Sequence, residues 1–214
     1  MKFESFKGTL YDFFGYFSPG MLLLITWLIA FSHGKGIVDL YPIVKKYIGS
    51  STTTEIILVV FISYILGHAI ASTSSFIIEK NVLCRIKSIN DTLCIKSILP
   101  PELYTAFEVK FRNLFNTDFK EEMFRTVMCY VQTKHKAIYD TAFVFLSFYG
   151  MARNFTLIFG SAFLWEMYNR VVLKLTGTGW LIMLYFVLMI LFGYEYYRFT
   201  KYYKDQIANG FLIP

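Results

Sequence analysis

A single arginine, Arg153, stands inside an apolar run that is otherwise long enough to cross a bilayer. The run is DTAFVFLSFYGMARNFTLIFGSAFLW, from Asp140 to Trp165. A hydrocarbon core about 30 Å thick is crossed by roughly 20 apolar helical residues. A charge at its centre costs about 2.5–3.5 kcal/mol on insertion scales, so such a residue faces a bundle interior, a subunit contact or a water-filled path. The run therefore predicts an integral membrane protein, and Arg153 is the first residue to question about function. With no Asp or Glu at its depth by residue count, its expected partners are His68, hydroxyls, backbone carbonyls, or water and anions in a channel.

Three further runs complete the plan. The expected spans are Phe13–Phe31, Ile56–Ile78, Thr141–Trp165 and Trp180–Phe199, an all-α, four-transmembrane-helix protein with a small helical insertion. The chain divides into 1–79 (two spans), 80–138 (the insertion) and 139–214 (two spans and a tail). A hydrophobic content of 56% and a mean hydropathy of +0.48 exceed what a soluble domain carries. Lys2 and Lys7 before the first run suggest a signal peptide. No small-x-small cleavage site follows, however, and Pro19-Gly20 falls inside the core, so the run is kept as a span kinked at Pro19.

Charge sets the orientation. Lys2, Lys7, the basic residues from Lys80 to Lys136, and Arg198, Lys201 and Lys204 fall on one side. Lys35, Lys45, Lys46, Arg170 and Lys174 fall on the other. The positive-inside rule puts both termini and the insertion in the cytoplasm. The net charge of +6 suits anionic headgroups, an acidic partner or RNA. Within the insertion Arg85, Lys87, Lys110, Arg112, Arg125 and Lys134 are the candidate partner-binding residues.

Pro100-Pro101 splits the insertion. Before it, FIIEKNVLCRIKSI continues the second span as a helix. After it, Leu103, Phe107, Phe111 and Leu114 recur at helical spacing. Thr117-Asp118 is a candidate cap for a helix running without a break into the third span. About 60 residues bury little core alone, so the insertion is expected to pack on itself, on the membrane surface and on neighbouring copies. The tail YEYYRFTKYYKDQIANGF reads as an interfacial belt of Tyr, Lys and Arg, with base stacking as the alternative. Cys84, Cys94 and Cys129 with His135 lack paired zinc-ligand spacing, so no metal or cofactor is expected.

Two polar faces stand out. In the second span Tyr64, His68, Ser72, Ser75 and Glu79 share one helix face, beside the small-residue ladder Gly67, Ala71, Ser75. In the third, Ser147, Gly150, Asn154 and Ser161 form a small and polar seam beside Arg153. Each is either a helix-packing face or the lining of a polar path or subunit interface, and homo-oligomerisation through both spans is expected. His68 with Ser72 is the only pair resembling a nucleophile and base; it has no third member, and there is no H-E-x-x-H, G-x-S-x-G or P-loop. A lipid-modifying enzyme is the third reading.

The stretches YDFFGYFSPGMLLL (Tyr11–Leu24), SYILGHAIASTSSFIIE (Ser63–Glu79) and YDTAFVFLSFYGMARN (Tyr139–Asn154) resemble small multi-span bacterial proteins. In layout they are similar to the four-span membrane accessory proteins of type VI-B CRISPR systems. The HEPN-like Arg-x4–6-His signature of the pore-forming branch is missing; Arg125 and His135 are too far apart. The resemblance implies an accessory or effector protein of phage defence, linked to a cytoplasmic RNA-guided ribonuclease. It would perturb or permeabilise the membrane as an oligomer or, alternatively, tether that partner without a pore. No catalytic residue carries over.

Overall fold

The computed structural model describes residues 11–31, 53–82, 91–174 and 179–214. Among them every regular element is helical. Four helices are long and apolar enough to cross a membrane: Phe13–Ala30, Thr53–Glu79, Lys136–Val171 and Gly179–Leu212. The first comprises a π-helical turn, Phe13–Phe17, and helix α1, Ser18–Phe31. Helix α2, Thr53–Ser74, continues as π-helix over Ser75–Val82. The insertion holds the short α3, Ile95–Ile98, then α4, Pro101–Phe115, and α5, Phe124–Lys134. Helices α6, Lys136–Val171, and α7, Gly179–Leu212, complete the chain.

Local chemistry sets these boundaries. Extended Pro100 precedes Pro101 at the first position of α4, where a missing N–H costs nothing. Asn116 ends that helix in the left-handed region (φ 54°), donating its N–H to the Arg112 carbonyl. Thr117-Asp118 does not cap the next helix. A single 3-10 turn, Glu121–Met123, starts after Lys120, and Asp118 pairs instead with Arg112 at 2.7 Å. Nor does α5 run unbroken into the third span. At His135 (φ −129°, ψ 56°) the backbone leaves the helix for one residue, which turns α5 so that it packs against α6 and α7.

At 36 and 34 residues, α6 and α7 measure about 54 and 51 Å at 1.5 Å per residue, well beyond a 30 Å hydrocarbon core. The excess has a use. At one end Ile207, Ala208 and Phe211 of α7 and Ala142 of α6 join Ile95, Leu99, Phe107, Phe111, Val127 and Val131 in a single buried core. Phe211 sits 5.0 Å from the Phe107 ring and 5.2 Å from that of Tyr130. The insertion therefore has a real core, completed by a tail that reads in sequence as an interfacial belt. Leu103 and Leu114, expected on the apolar stripe of α4, are exposed, while Phe107 and Phe111 between them are fully buried. Glu121 ties the unit together, accepting from Lys204 Nζ at 2.6 Å and from the Ile95 N–H at 3.1 Å.

Inside the bundle, α6 and α7 run antiparallel with rings interleaved, as in Phe155–Phe192 (4.9 Å), Phe163–Phe186 (5.4 Å) and Tyr149–Tyr196 (4.9 Å). Helices α1 and α2 meet through glycine. A Cβ at Gly20 would fall on the Ser63 carbonyl, and one at Gly67 on the Tyr16 carbonyl, so Gly67 of the small-residue ladder packs against the first span. Phe211→Ala should lower the stability of the helical unit by about 3–5 kcal/mol, read as faster proteolysis within 91–134 while the bundle stays inserted.

Candidate functional site: a polar cleft at the helical-unit end

Arg153 is not left without a carboxylate. Its Nη1–H donates to Glu79 Oε1 at 2.6 Å, its Nε–H to Ser74 Oγ at 3.0 Å and its Nη2–H to the Ala71 carbonyl at 3.2 Å. Glu79 also accepts from the Tyr149 hydroxyl and from Ser75 Oγ, the latter at 2.7 Å. The guanidinium stands 5.6 Å from the Tyr149 ring centre, in cation–π range. The arginine side chain is 12% exposed and the glutamate 27%. This corrects the expectation that no acidic partner lies at its level.

The correction has a geometric cause. Residue counting puts Arg153 at the middle of a span from Thr141 to Trp165, but α6 overshoots the bilayer and its register is set by its neighbours. Asn154, fully buried, donates its Nδ2–H to the Gly15 carbonyl at 2.9 Å and accepts the Ser74 hydroxyl at 2.5 Å. Gly15 lies two residues inside the span that begins at Phe13. Ser74 lies about 30 Å along the helix from Thr53, the thickness of a hydrocarbon core. Arg153 and Asn154 thus sit near the end of the bundle that carries the helical unit, where charge is far cheaper than at the midplane.

Pro19 stands just after the Gly15 contact. Proline has no N–H to give to the carbonyls of the turn before it, and that turn, Phe13–Phe17, is π-helical, with the Ser18 N–H reaching back to the Phe13 carbonyl. A buried carbonyl left without a donor is costly, and in a membrane helix a neighbouring side chain supplies the bond. Asn154 does this, so the kink expected from Pro19 and the seam containing Asn154 are two halves of one contact.

Around this contact opens a cavity of about 310 Å³, walled by Tyr16, His68, Ser72, Ser75, Arg153 and Asn154, with Gly150 and Ala71 at its floor. The His68 ring stacks on Tyr16 at 3.7 Å, and Tyr64 stands edge-on to it at 4.7 Å. The structure thus brings together most of both predicted polar faces. Tyr64 lies at the rim. Ser147 and Ser161 do not join; they bond to their own helix at Phe143 and Ile158. Above the cavity Phe155, Phe159, Phe192 and Leu22 form a dry layer with Ala162 and Leu181. Beyond it Glu166 and Asn169 are buried at the far end, a second polar level that the spacing of the sequence did not reveal. Thr26 and Tyr185 are buried between the two levels.

The basic residues proposed to bind a partner do not form one patch among the described residues. Lys110 donates to the Ile213 carbonyl at 2.6 Å and lies over the Phe211 ring. Arg112 is paired with Asp118. Arg125 and Lys134 are exposed but lie on opposite sides of α5, about half a turn apart by helical phase. Arg85 and Lys87 lie outside the described residues, as does Cys84. Cys94 is half-buried, and burial pushes its thiol above the usual range, with the Glu121 carboxylate adding to the effect. No group of three His, Cys, Asp or Glu among the described residues is placed to hold a metal.

No protein-family model, curated protein or solved structure matches the chain.

Removing one partner of a pair this enclosed leaves the other charge uncompensated. Arg153→Leu or Glu79→Gln should each cost about 3 kcal/mol, whereas the double change Glu79→Gln with Arg153→Met should recover most of it. Thermal unfolding in detergent of the two single variants and the double variant measures this.

Proposed function

We propose that the protein is a membrane-anchored scaffolding or regulatory subunit that presents its helical unit to a soluble partner. The observation that carries this reading is the shared core of the unit and the bundle. Ile207 and Phe211 are the final turns of the same helix that packs along α6, so the unit is held in a fixed orientation to the bilayer. A firmly mounted platform suits docking, and its outward side is accessible: Thr105, Val109 and Asn113 of α4 and Arg125 and Gln132 of α5 are exposed. Arg153 supports this reading too. Its donors meet a carboxylate, a hydroxyl and a carbonyl, as expected of a structural arginine, and an aromatic layer stands above it. With both termini and the unit in the cytoplasm, the partner is cytoplasmic. The resemblance to accessory proteins of type VI-B CRISPR systems makes an RNA-guided ribonuclease the partner to test, in phage defence at a bacterial inner membrane.

A second reading, a pore formed by several copies, is favoured by α2. That helix leaves Tyr64, His68 and Ser72 exposed beside a long apolar face from Ile56 to Phe61, and polar groups on a bilayer-facing side are commonly covered by another helix.

One experiment separates the two. In cells expressing the protein with a triggered ribonuclease of that class, the anchor reading expects the ribonuclease to float with membranes and to be lost with Val109→Asp or Arg125→Glu, while a voltage-sensitive dye shows no depolarisation. Depolarisation by the wild type, together with disulfide-linked dimers of Tyr64→Cys, would establish the pore reading instead.

A further inference from the structure

The cavity beside Arg153 has a donor chemistry that the ion pair does not consume. A guanidinium carries five N–H groups. Three are engaged, by Glu79, Ser74 and the Ala71 carbonyl, which leaves one on each Nη. Glu79 takes no part in the cavity wall. Its oxygens are turned to Arg153, Tyr149 and Ser75. The wall contains Arg153, the His68 imidazole, the amide of Asn154 and the hydroxyls of Tyr16, Ser72 and Ser75, and among the described residues no carboxylate. The Ser72 and Ser75 protons are committed to the His68 carbonyl and to Glu79, and one amide N–H of Asn154 is given to Gly15, so the donors that remain are the two Nη–H groups of Arg153, the imidazole and the second amide N–H of Asn154. A cation with free N–H groups and no acid in the wall favours an anionic, oxygen-rich group.

Position narrows the ligand. The cavity lies at the level of Tyr16 and Gly15, the first turns of the span beginning at Phe13, which is the level of lipid headgroups and glycerol. Its volume of about 310 Å³ is at the small end of the usual range for a small-molecule pocket, enough for a phosphate with its glycerol. His68 and Ser72 on its edge are exposed on α2. Gly150 borders open space, since a Cβ there would meet nothing within 4 Å.

We propose that this cavity binds the phosphodiester headgroup of an anionic glycerophospholipid, with the two unengaged Nη–H groups of Arg153 on the phosphate and His68 and Tyr16 beside it. A lipid held there would touch α1, α2 and α6 at once and would stabilise the helix junction beneath the soluble unit.

The test uses the full-length protein in detergent micelles, titrated with short-chain phosphatidylglycerol, short-chain phosphatidylcholine or inorganic phosphate, and followed by the shift in Tm. Phosphatidylglycerol should raise Tm along a saturable curve, with phosphatidylcholine at least about tenfold weaker. Gly150→Leu fills open space and His68→Leu changes an exposed edge, so both should fold with Tm near the wild type and lose affinity by about tenfold or more. Equal responses to the two lipids would overturn the proposal, as would an undiminished phosphatidylglycerol response in both variants. Saturation by inorganic phosphate alone would overturn the lipid as source and assign the cavity to a soluble phosphate compound.

Discussion

Everything else in this protein hangs on the antiparallel pairing of α6 and α7. The two helices are longer than a bilayer is thick and stay in contact through interleaved rings, from Phe163 and Phe186 at one end to Phe145 and Tyr202 toward the other. Aromatic side chains bring large buried area and preferred tilted geometries, so the pair has a defined register. That register sets the Phe211 end of α7 beside the start of α6, where the helical unit packs, while α6 holds Asn154 against Gly15 and Arg153 against Glu79. Slide α6 by one turn and both polar contacts are lost together.

The polar cleft shows how a bundle meets the cost of irregularity. Pro19 brings no donor to the turn before it, and Asn154 gives one to the Gly15 carbonyl of that turn. Ser74 then orients Asn154 and accepts from Arg153, which faces Glu79, itself bonded to Tyr149 and Ser75. Asn154, Arg153, Tyr149, Ser74 and Glu79 each have a partner on a different helix. A buried network satisfied in this way specifies one arrangement, because partial satisfaction in a low dielectric is expensive.

Four apolar runs, the polar stripe from Tyr64 to Glu79, and the seam with Arg153 and Asn154 were all legible, because hydropathy and three-to-four spacing are local properties of sequence. The Arg153–Glu79 pair was not. Depth counted from the ends of an apolar run is undefined for an overlong helix until its neighbours set it. A weak signal existed: the stripe on α2 ends in a carboxylate, and Tyr149 stands one turn from Arg153. The core of the insertion was hidden for a related reason. Ile207, Ala208 and Phe211 follow a stretch so rich in Tyr and Lys that interfacial anchoring accounts for it, and only tertiary contact shows the last turns facing Phe107 and Phe111. Leu103 and Leu114 erred in the opposite direction, since helical spacing marks a stripe wider than the part that finds a partner.

The shared core has a consequence for assembly. Residues 91–134 are synthesised before the third and fourth spans, yet their core lacks Phe211 and Ile207 until α7 has been threaded back to the same end of the bundle. Until then Phe107, Phe111 and Val131 have an open side, a state that invites chaperones and proteases. The helical unit thus reports on topology: it closes only on a chain whose last span has entered in the right direction, and a mis-inserted copy displays its own degradation signal.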